Sequence, residues 1–191
     1  MGCNMIIYIH GFGSSGKANK AVAFGEYFKS IGEPYMAPSL PYIPDRAIKN
    51  LEDIIECFED VCLIGSSLGG FYATYLSNMK NVKKVVLINP AVNKNDTLQK
   101  YIGDATCYYD NSTFSWTKNH IKMLDKYKTT NINREKFMVL LQKGDKILDY
   151  KEAVKKYDGT KVIVEDGGNH SFNGIQRHFD SCYEFYKKSS K

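Results

Sequence analysis

Ser67 stands between two glycines in the run Val61-Cys62-Leu63-Ile64-Gly65-Ser66-Ser67-Leu68-Gly69-Gly70. Gly-x-Ser-x-Gly is the pattern of a nucleophile held on a sharp strand-to-helix turn. Side chains at the flanking places would collide with the crossing strand and helix, so glycine is favoured at both. The following helix aims its free N–H groups and its dipole at the reacting centre. The plain alternative is an ordinary turn that happens to contain these residues. The apolar strand pattern before Ser67 and the apolar helix from Leu68 to Met79 after it favour the chemical reading.

A serine hydroxyl is a weak nucleophile at neutral pH. It needs an imidazole to take its proton and a carboxylate to orient that imidazole. Of the four histidines, His170 follows the last strand pattern in Gly167-Gly168-Asn169-His170-Ser171-Phe172 and is the expected base. A solvent-exposed loop histidine is the other reading. His178 falls inside the closing helix and reads as a surface residue, His120 lies in a weakly patterned stretch, and His10 ends the first strand. For the acid, Asp145 follows the fifth strand and is preferred, but Asp149 stays open although it reads as a helix N-cap. Asp166 would have to fold back to reach the ring. Negative charge on a tetrahedral intermediate needs preformed donors. These are expected from the N–H of Leu68, directly after the nucleophile, and the N–H of Phe12, in the loop after the first strand.

That loop has a rival reading. Gly11-Phe12-Gly13-Ser14-Ser15-Gly16-Lys17 matches both Gly-x-Gly-x-x-Gly and Gly-x-x-x-x-Gly-Lys, patterns that cradle phosphates. Ala18 stands where a magnesium-binding Ser or Thr would follow the lysine. Tyr35-Met36-Ala37-Pro38 offers no acid for a ribose. Nucleotide binding is therefore the weaker reading.

The elements that must position these residues alternate. Strands are expected at Met5 to Ile9, Pro34 to Ala37, Val61 to Ile64, Val82 to Ile88, Phe137 to Leu141 and Lys161 to Val164. Helices are expected up to Ser30, from Pro44, from Leu68, from Tyr150 to Tyr157 and from Ile175 to Tyr186. Strands that are apolar throughout imply a parallel sheet covered on both faces. In such sheets a site lies beyond the carboxyl ends of the strands, where His10, Ser67, Asn89, Asp145 and His170 all fall. Between 91 and 135 the pattern weakens. Helical pieces are expected near Asp96 to Tyr101 and Ser115 to Lys126, and a stretch this long reads as a lid or binding region.

Composition narrows the classes. The 191 residues suit one domain, with an apolar share of 43% and a charged share of 25%. A net charge of +5 from scattered lysines, with Lys187, Lys188 and Lys191 the one terminal cluster, gives no case for nucleic acid. Five cysteines (Cys3, Cys57, Cys62, Cys107 and Cys182) lack metal spacing. Cys57 and Cys62 read as small core hydrophobes in a reducing compartment. No signal peptide or membrane span is visible, and Met1-Gly2 lacks the Ser or Thr that myristoylation wants, having Ile6 there. A cytoplasmic location is the expectation; oligomeric state is not legible.

Five motifs carry a resemblance. They are Ile6-Ile7-Tyr8-Ile9-His10-Gly11-Phe12, Gly65-Ser66-Ser67-Leu68-Gly69-Gly70-Phe71-Tyr72, Ile88-Asn89-Pro90-Ala91, Leu141-Gln142-Lys143-Gly144-Asp145 and Gly167-Gly168-Asn169-His170-Ser171-Phe172. In this order, nearly end to end, the chain resembles the YqiA/YcfP family of small bacterial esterases. The resemblance implies a three-layer α/β-hydrolase fold of mainly parallel strands without a leading antiparallel hairpin; length and pattern make residues 1–191 one domain and 91–135 its lid-like insertion, the part that matches the family least. The resemblance implies hydrolysis of carboxylic esters or thioesters with no cofactor; small or medium acyl groups are the expected substrates, and the residues suggest no metal site. Ser67 would be the nucleophile, His170 the base, Asp145 the acid, and Phe12 and Leu68 the oxyanion donors. A non-catalytic binding protein on the same fold is the alternative, since fold alone does not establish activity.

Overall fold

The computed structural model describes residues 5–92 and 96–187. Met1, Gly2, Cys3, Lys188 and Lys191, which bear on the expectations above, lie outside them.

In chain order the elements are β1 (Met5–Ile9), α1 (Asn19–Ser30), β2 (Tyr35–Met36), α2 (Pro44–Glu56), β3 (Val61–Ser66), α3 (Leu68–Leu76) and β4 (Val82–Ile88). Then follow α4 (Asp96–Gln99), β5 (Gly103–Thr106), β6 (Thr113–Trp116) and α5 (Lys118–Met123). The chain continues through β7 (Phe137–Gln142), α6 (Tyr150–Lys156), β8 (Lys161–Glu165) and α7 (Phe179–Lys187). Six strands form one sheet in the order β2-β1-β3-β4-β7-β8. Every pairing in it is parallel.

Alternation along each strand divides the core into two layers. Ile7, Ile9, Leu63, Val85, Leu87 and Val139 face one side, where α2, α3 and α6 pack. Ile6, Tyr8, Ile64, Val86, Met138 and Leu140 face the other, under α1 and α7. Each such side chain removed from water contributes about 1.5–3 kcal/mol. Helix α2 shows how the sequence achieves this. Pro44 opens it at a position that needs no N–H donor, and Ala47, Ile48, Leu51 and Ile55 fall on one buried face. Helix α3 is buried almost all round, so it carries no polar stripe.

All six expected strands are present, with small shifts at their ends. The stretch 91–135 differs more. Alongside the short helices α4 and α5 it contains an antiparallel hairpin, β5-β6, that the sequence pattern did not reveal. Ser115 and Trp116, expected in a helix, belong to β6. The closing helix begins later than expected, at Phe179, after a 3-10 turn over Ile175–His178. Among the described residues no helix is long and apolar enough to cross a membrane. The cysteine expectations need correction: Cys57 is exposed. Cys62 is buried as expected but is disulfide-bonded, which removes its support for a reducing compartment.

Candidate active site

Chain connection reverses direction beside β1: the chain passes outward to β2 on one side and to β3 on the other. Loops leaving β1 and β3 therefore diverge, and a crevice opens between them. Ser67 stands there, at the corner between β3 and α3. Its backbone has φ 54° and ψ −121°, a conformation few L-residues adopt. The corner is stitched in place. Ser67 N–H donates to Ile88 O at 3.1 Å, and Ser67 O accepts from Gly70 N and Ala91 N, each at 2.9 Å. The flanking glycines answer to close packing, as anticipated. A Cβ at Gly65 would lie 2.6 Å from Gly69 O, and one at Gly69 would lie 2.0 Å from Ile9 O.

His170, in the loop after β8, reaches across the strand ends. Its Nε2 is 2.9 Å from Ser67 Oγ and its Nδ1 is 2.7 Å from Asp145 Oδ2. The Asp145 side chain is only 2% exposed, against 25% for His170. Burial alone would raise the Asp145 carboxyl. Its bonds to the His170 ring and to the N–H groups of Leu148 and Ile147 outweigh that and hold it below the ordinary value. The latter two N–H groups donate to Oδ1 at 3.0 and 2.8 Å, leaving Oδ2 turned to the imidazole. An ionised carboxylate can only accept, so Nδ1 carries the ring proton and Nε2 is free to accept from the Ser67 hydroxyl. Asp149 is elsewhere engaged: it caps α6, accepting from Lys151 N at 2.9 Å. Asp166 is exposed and paired with Lys143 at 2.6 Å.

His10 orients the loop after β1. Leu40 N–H donates to His10 Nε2 at 2.9 Å, so the proton sits on Nδ1, which donates to Gly11 O at 2.8 Å. Burial lowers the pKa of this ring, which favours the neutral form. In a planar trans peptide C=O and N–H point opposite ways. With its carbonyl drawn to His10, the Gly11–Phe12 peptide turns the Phe12 N–H away from it. Gly11 passes beside the serine: a Cβ there would lie 3.5 Å from Ser67 Oγ. Leu68 is the first residue of α3, so its N–H has no partner within the helix. Among the described residues neither the Phe12 nor the Leu68 N–H donates to a backbone acceptor. The phosphate-loop reading of this segment fares less well. Gly16 packs against Ala37, and Lys17 points to solvent.

Several side chains that sequence reasoning left without a role hold the His170 loop. Asn89, at φ 40°, donates from Nδ2 to Asn169 O at 3.0 Å and His170 O at 3.2 Å. Its Oδ1 accepts from Gln142 N at 3.0 Å. Gln142 Oε1 accepts from the N–H groups of Asn169 and Asn173 at 3.0 and 2.9 Å. Gln142 Nε2 donates to Glu165 Oε2 at 2.9 Å. The carboxylate of Glu165 also binds Arg177 and His178. Contrary to expectation, His178 is therefore buried rather than a surface residue. His120 caps α5 in a reciprocal bond pair with Thr117.

Above Ser67 lies a cavity of about 670 Å³ lined by Lys20, Ser66, Tyr101, Tyr108 and His170 among others. A second, of about 270 Å³, is lined by Phe12, Leu40, Tyr72 and Phe114 among others. Phe12 lines both, and its ring packs on Tyr101, Phe114 and Trp116, with ring centroids 5.2, 5.4 and 4.9 Å away. The stretch 91–135 thus joins the loop after β1 through an aromatic cluster and through Tyr108 N–H, which donates to Gly13 O at 2.7 Å. No group of side chains able to hold a metal ion occurs among the described residues.

Comparison with known proteins places the fold. The Alpha/beta hydrolase domain-containing protein 10 from mouse superposes with a TM-score of 0.73 at 20% identity, covering 95% of this chain and 88% of that one. Est1E from Butyrivibrio proteoclasticus, solved with ferulic acid bound, gives 0.71 at 15% identity over 96% and 88%. The monoacylglycerol lipase of Paleococcus ferrophilus gives 0.67 at 14% identity over 95% and 93%. The fold is that of the α/β hydrolases. In sequence, a UPF0227 protein of Vibrio parahaemolyticus is 26% identical over 194 aligned positions, covering 95% of this chain and 98% of that protein. Residues 5–187 match the family described as "Uncharacterised protein family (UPF0227)". With the match spanning the sheet and every loop on its rim, the chain belongs to the UPF0227 family, of the YqiA/YcfP type.

Proposed function

We propose that this protein is a serine hydrolase that cleaves small or medium acyl esters or thioesters. The observation that carries the reading is the unbroken chain from Asp145 Oδ2 through His170 to Ser67 Oγ, with links of 2.7 and 2.9 Å. Ser67 attacks the acyl carbonyl while His170 Nε2 takes its proton. Asp145 stabilises the imidazolium so formed. The Phe12 and Leu68 N–H groups receive the negative charge of the tetrahedral oxygen, each worth about 3–4 kcal/mol in the transition state. His170 then protonates the leaving alcohol or thiol, and the acyl group stays on Ser67. Water, deprotonated by the same imidazole, releases the acid. No cofactor or metal enters these steps.

In this reading the chain acts as one catalytic domain, and 91–135 is its lid. The aromatic cluster around Phe12 gives the acyl group an apolar wall. Support also comes from the company the fold keeps: a lipase and a protein solved with ferulic acid bound share it.

The test uses p-nitrophenyl acetate and butyrate with the wild type beside Ser67→Ala. The wild type is expected to turn over both esters and the variant to lose at least about a thousandfold in kcat. Equal rates for the two proteins would discard the proposal. A fluorophosphonate probe separates enzyme from binding protein, because it labels Ser67 only if the hydroxyl is activated.

A further inference from the structure

Among the described residues, Lys20 is the one ammonium in the wall of the larger cavity, which it shares with Ser67 and His170. It sits in the first turn of α1, half-buried, and donates from Nζ to Ser66 Oγ at 2.8 Å. Ser66 in turn hydrogen-bonds the buried Tyr8 phenol. Both of these partners are neutral. Among the described residues no ion pair includes Lys20, and the carboxylate whose charge acts on it, Asp145, is committed to His170. Burial lowers the lysine pKa to about 8, so at neutral pH the group is still mostly protonated. A half-buried cation with only neutral partners is costly unless an anion completes its surroundings.

The end of α1 adds to this. Ala18, at the N-cap, supplies no side-chain acceptor, and the first turn holds no acidic residue. Ala18 and Asn19 line the same cavity. The positive end of the helix therefore borders the same space as the Lys20 ammonium.

We infer that the substrate is an anionic ester, one whose carboxylate or phosphate group is held by Lys20 and the N-terminus of α1 while its ester carbonyl lies at Ser67. This rests on the serine-hydrolase reading and narrows it to a substrate class. Tyr101, Tyr108 and Tyr109, which also line the cavity, offer apolar ring faces to the part of the molecule between the two ends.

Two matched ester pairs place the charge on either side of the scissile bond. The p-nitrophenyl half-ester of glutarate is set against p-nitrophenyl valerate, and meta-acetoxybenzoate against phenyl acetate. For each pair the ratio of kcat/KM, anionic over neutral, is measured in the wild type, Lys20→Met and Lys20→Arg. A ratio is independent of how much of each preparation is folded. In at least one pair the wild-type ratio is expected to fall roughly tenfold in Lys20→Met and to be largely kept in Lys20→Arg. Ratios that match among all three proteins in both pairs overturn the inference and leave the hydrolase reading standing. If the wild type cleaves none of the four esters, the hydrolase reading fails and this inference with it.

Discussion

Asp145 and Asp149 lie four positions apart in one loop, yet their surroundings give them different work. Asp145 is enclosed and bonded to His170, whereas Asp149 is exposed and caps a helix. Asp145→Asn should reverse the proton preference of the ring and lower kcat by about four orders of magnitude, with KM little changed. Asp149→Ala should leave kcat/KM within about threefold and cost about 1 kcal/mol of stability, because a capping oxygen is lost. Steady-state kinetics and urea unfolding of both variants check this. A large kinetic loss in Asp149→Ala would exchange their roles. The sequence favoured Asp145, and read Asp149 as a cap, without closing the choice. Both follow the same strand; in the fold the N–H groups of Ile147 and Leu148 hold Asp145 Oδ1, and Oδ2 meets the ring.

At the scale of elements, the loops and strand ends were legible to different degrees. Strands such as Val61–Ser66 are buried at every position, so a continuous apolar run exposes them to sequence reading. The hairpin does not have that signature. Each of its strands, Gly103–Thr106 and Thr113–Trp116, buries a single residue fully, Ala105 in one and Trp116 in the other. Too little of either strand is apolar for a period to show. His178 was misplaced for a related reason: the 3-10 turn that contains it rotates it relative to α7, bringing it onto Glu165. That carboxylate anchors β8 to the last turn. The Arg177 bond, followed by those of Gln142 and His178, holds its pKa down at about 2 against an ordinary 4.5. A depressed acid stabilises the fold fully above its unfolded value and loses that effect as pH falls through the folded one. Glu165→Gln should therefore be less stable at pH 7, by about 1 kcal/mol given how exposed Arg177 is. The gap should close between about pH 4.5 and 2. Thermal unfolding across that range measures it, and a gap that stays constant would rule the linkage out.

For the molecule as a whole, sheet order does what the linear chain does not. It gathers residues 12, 67, 145 and 170 on one rim because β1, β3, β7 and β8 all run the same way. Trp116, the chain's one tryptophan, is buried in the same core cluster as β1, β3 and β7. Its emission should thus change at the same urea concentration as the far-UV circular dichroism of the sheet. Two separated midpoints would mean that 91–135 opens by itself. Finally, the backbone at residue 67 is held at φ 54°, and only glycine enters that region freely. Ser67→Gly should then abolish turnover while raising the melting temperature by about 2–4 °C, as roughly 1 kcal/mol of torsional strain is relieved. Heat tolerance and reactivity would pull in opposite directions at this one position. A laboratory selection for thermal resilience alone would drift toward an inert relative, unless turnover were demanded in the same screen.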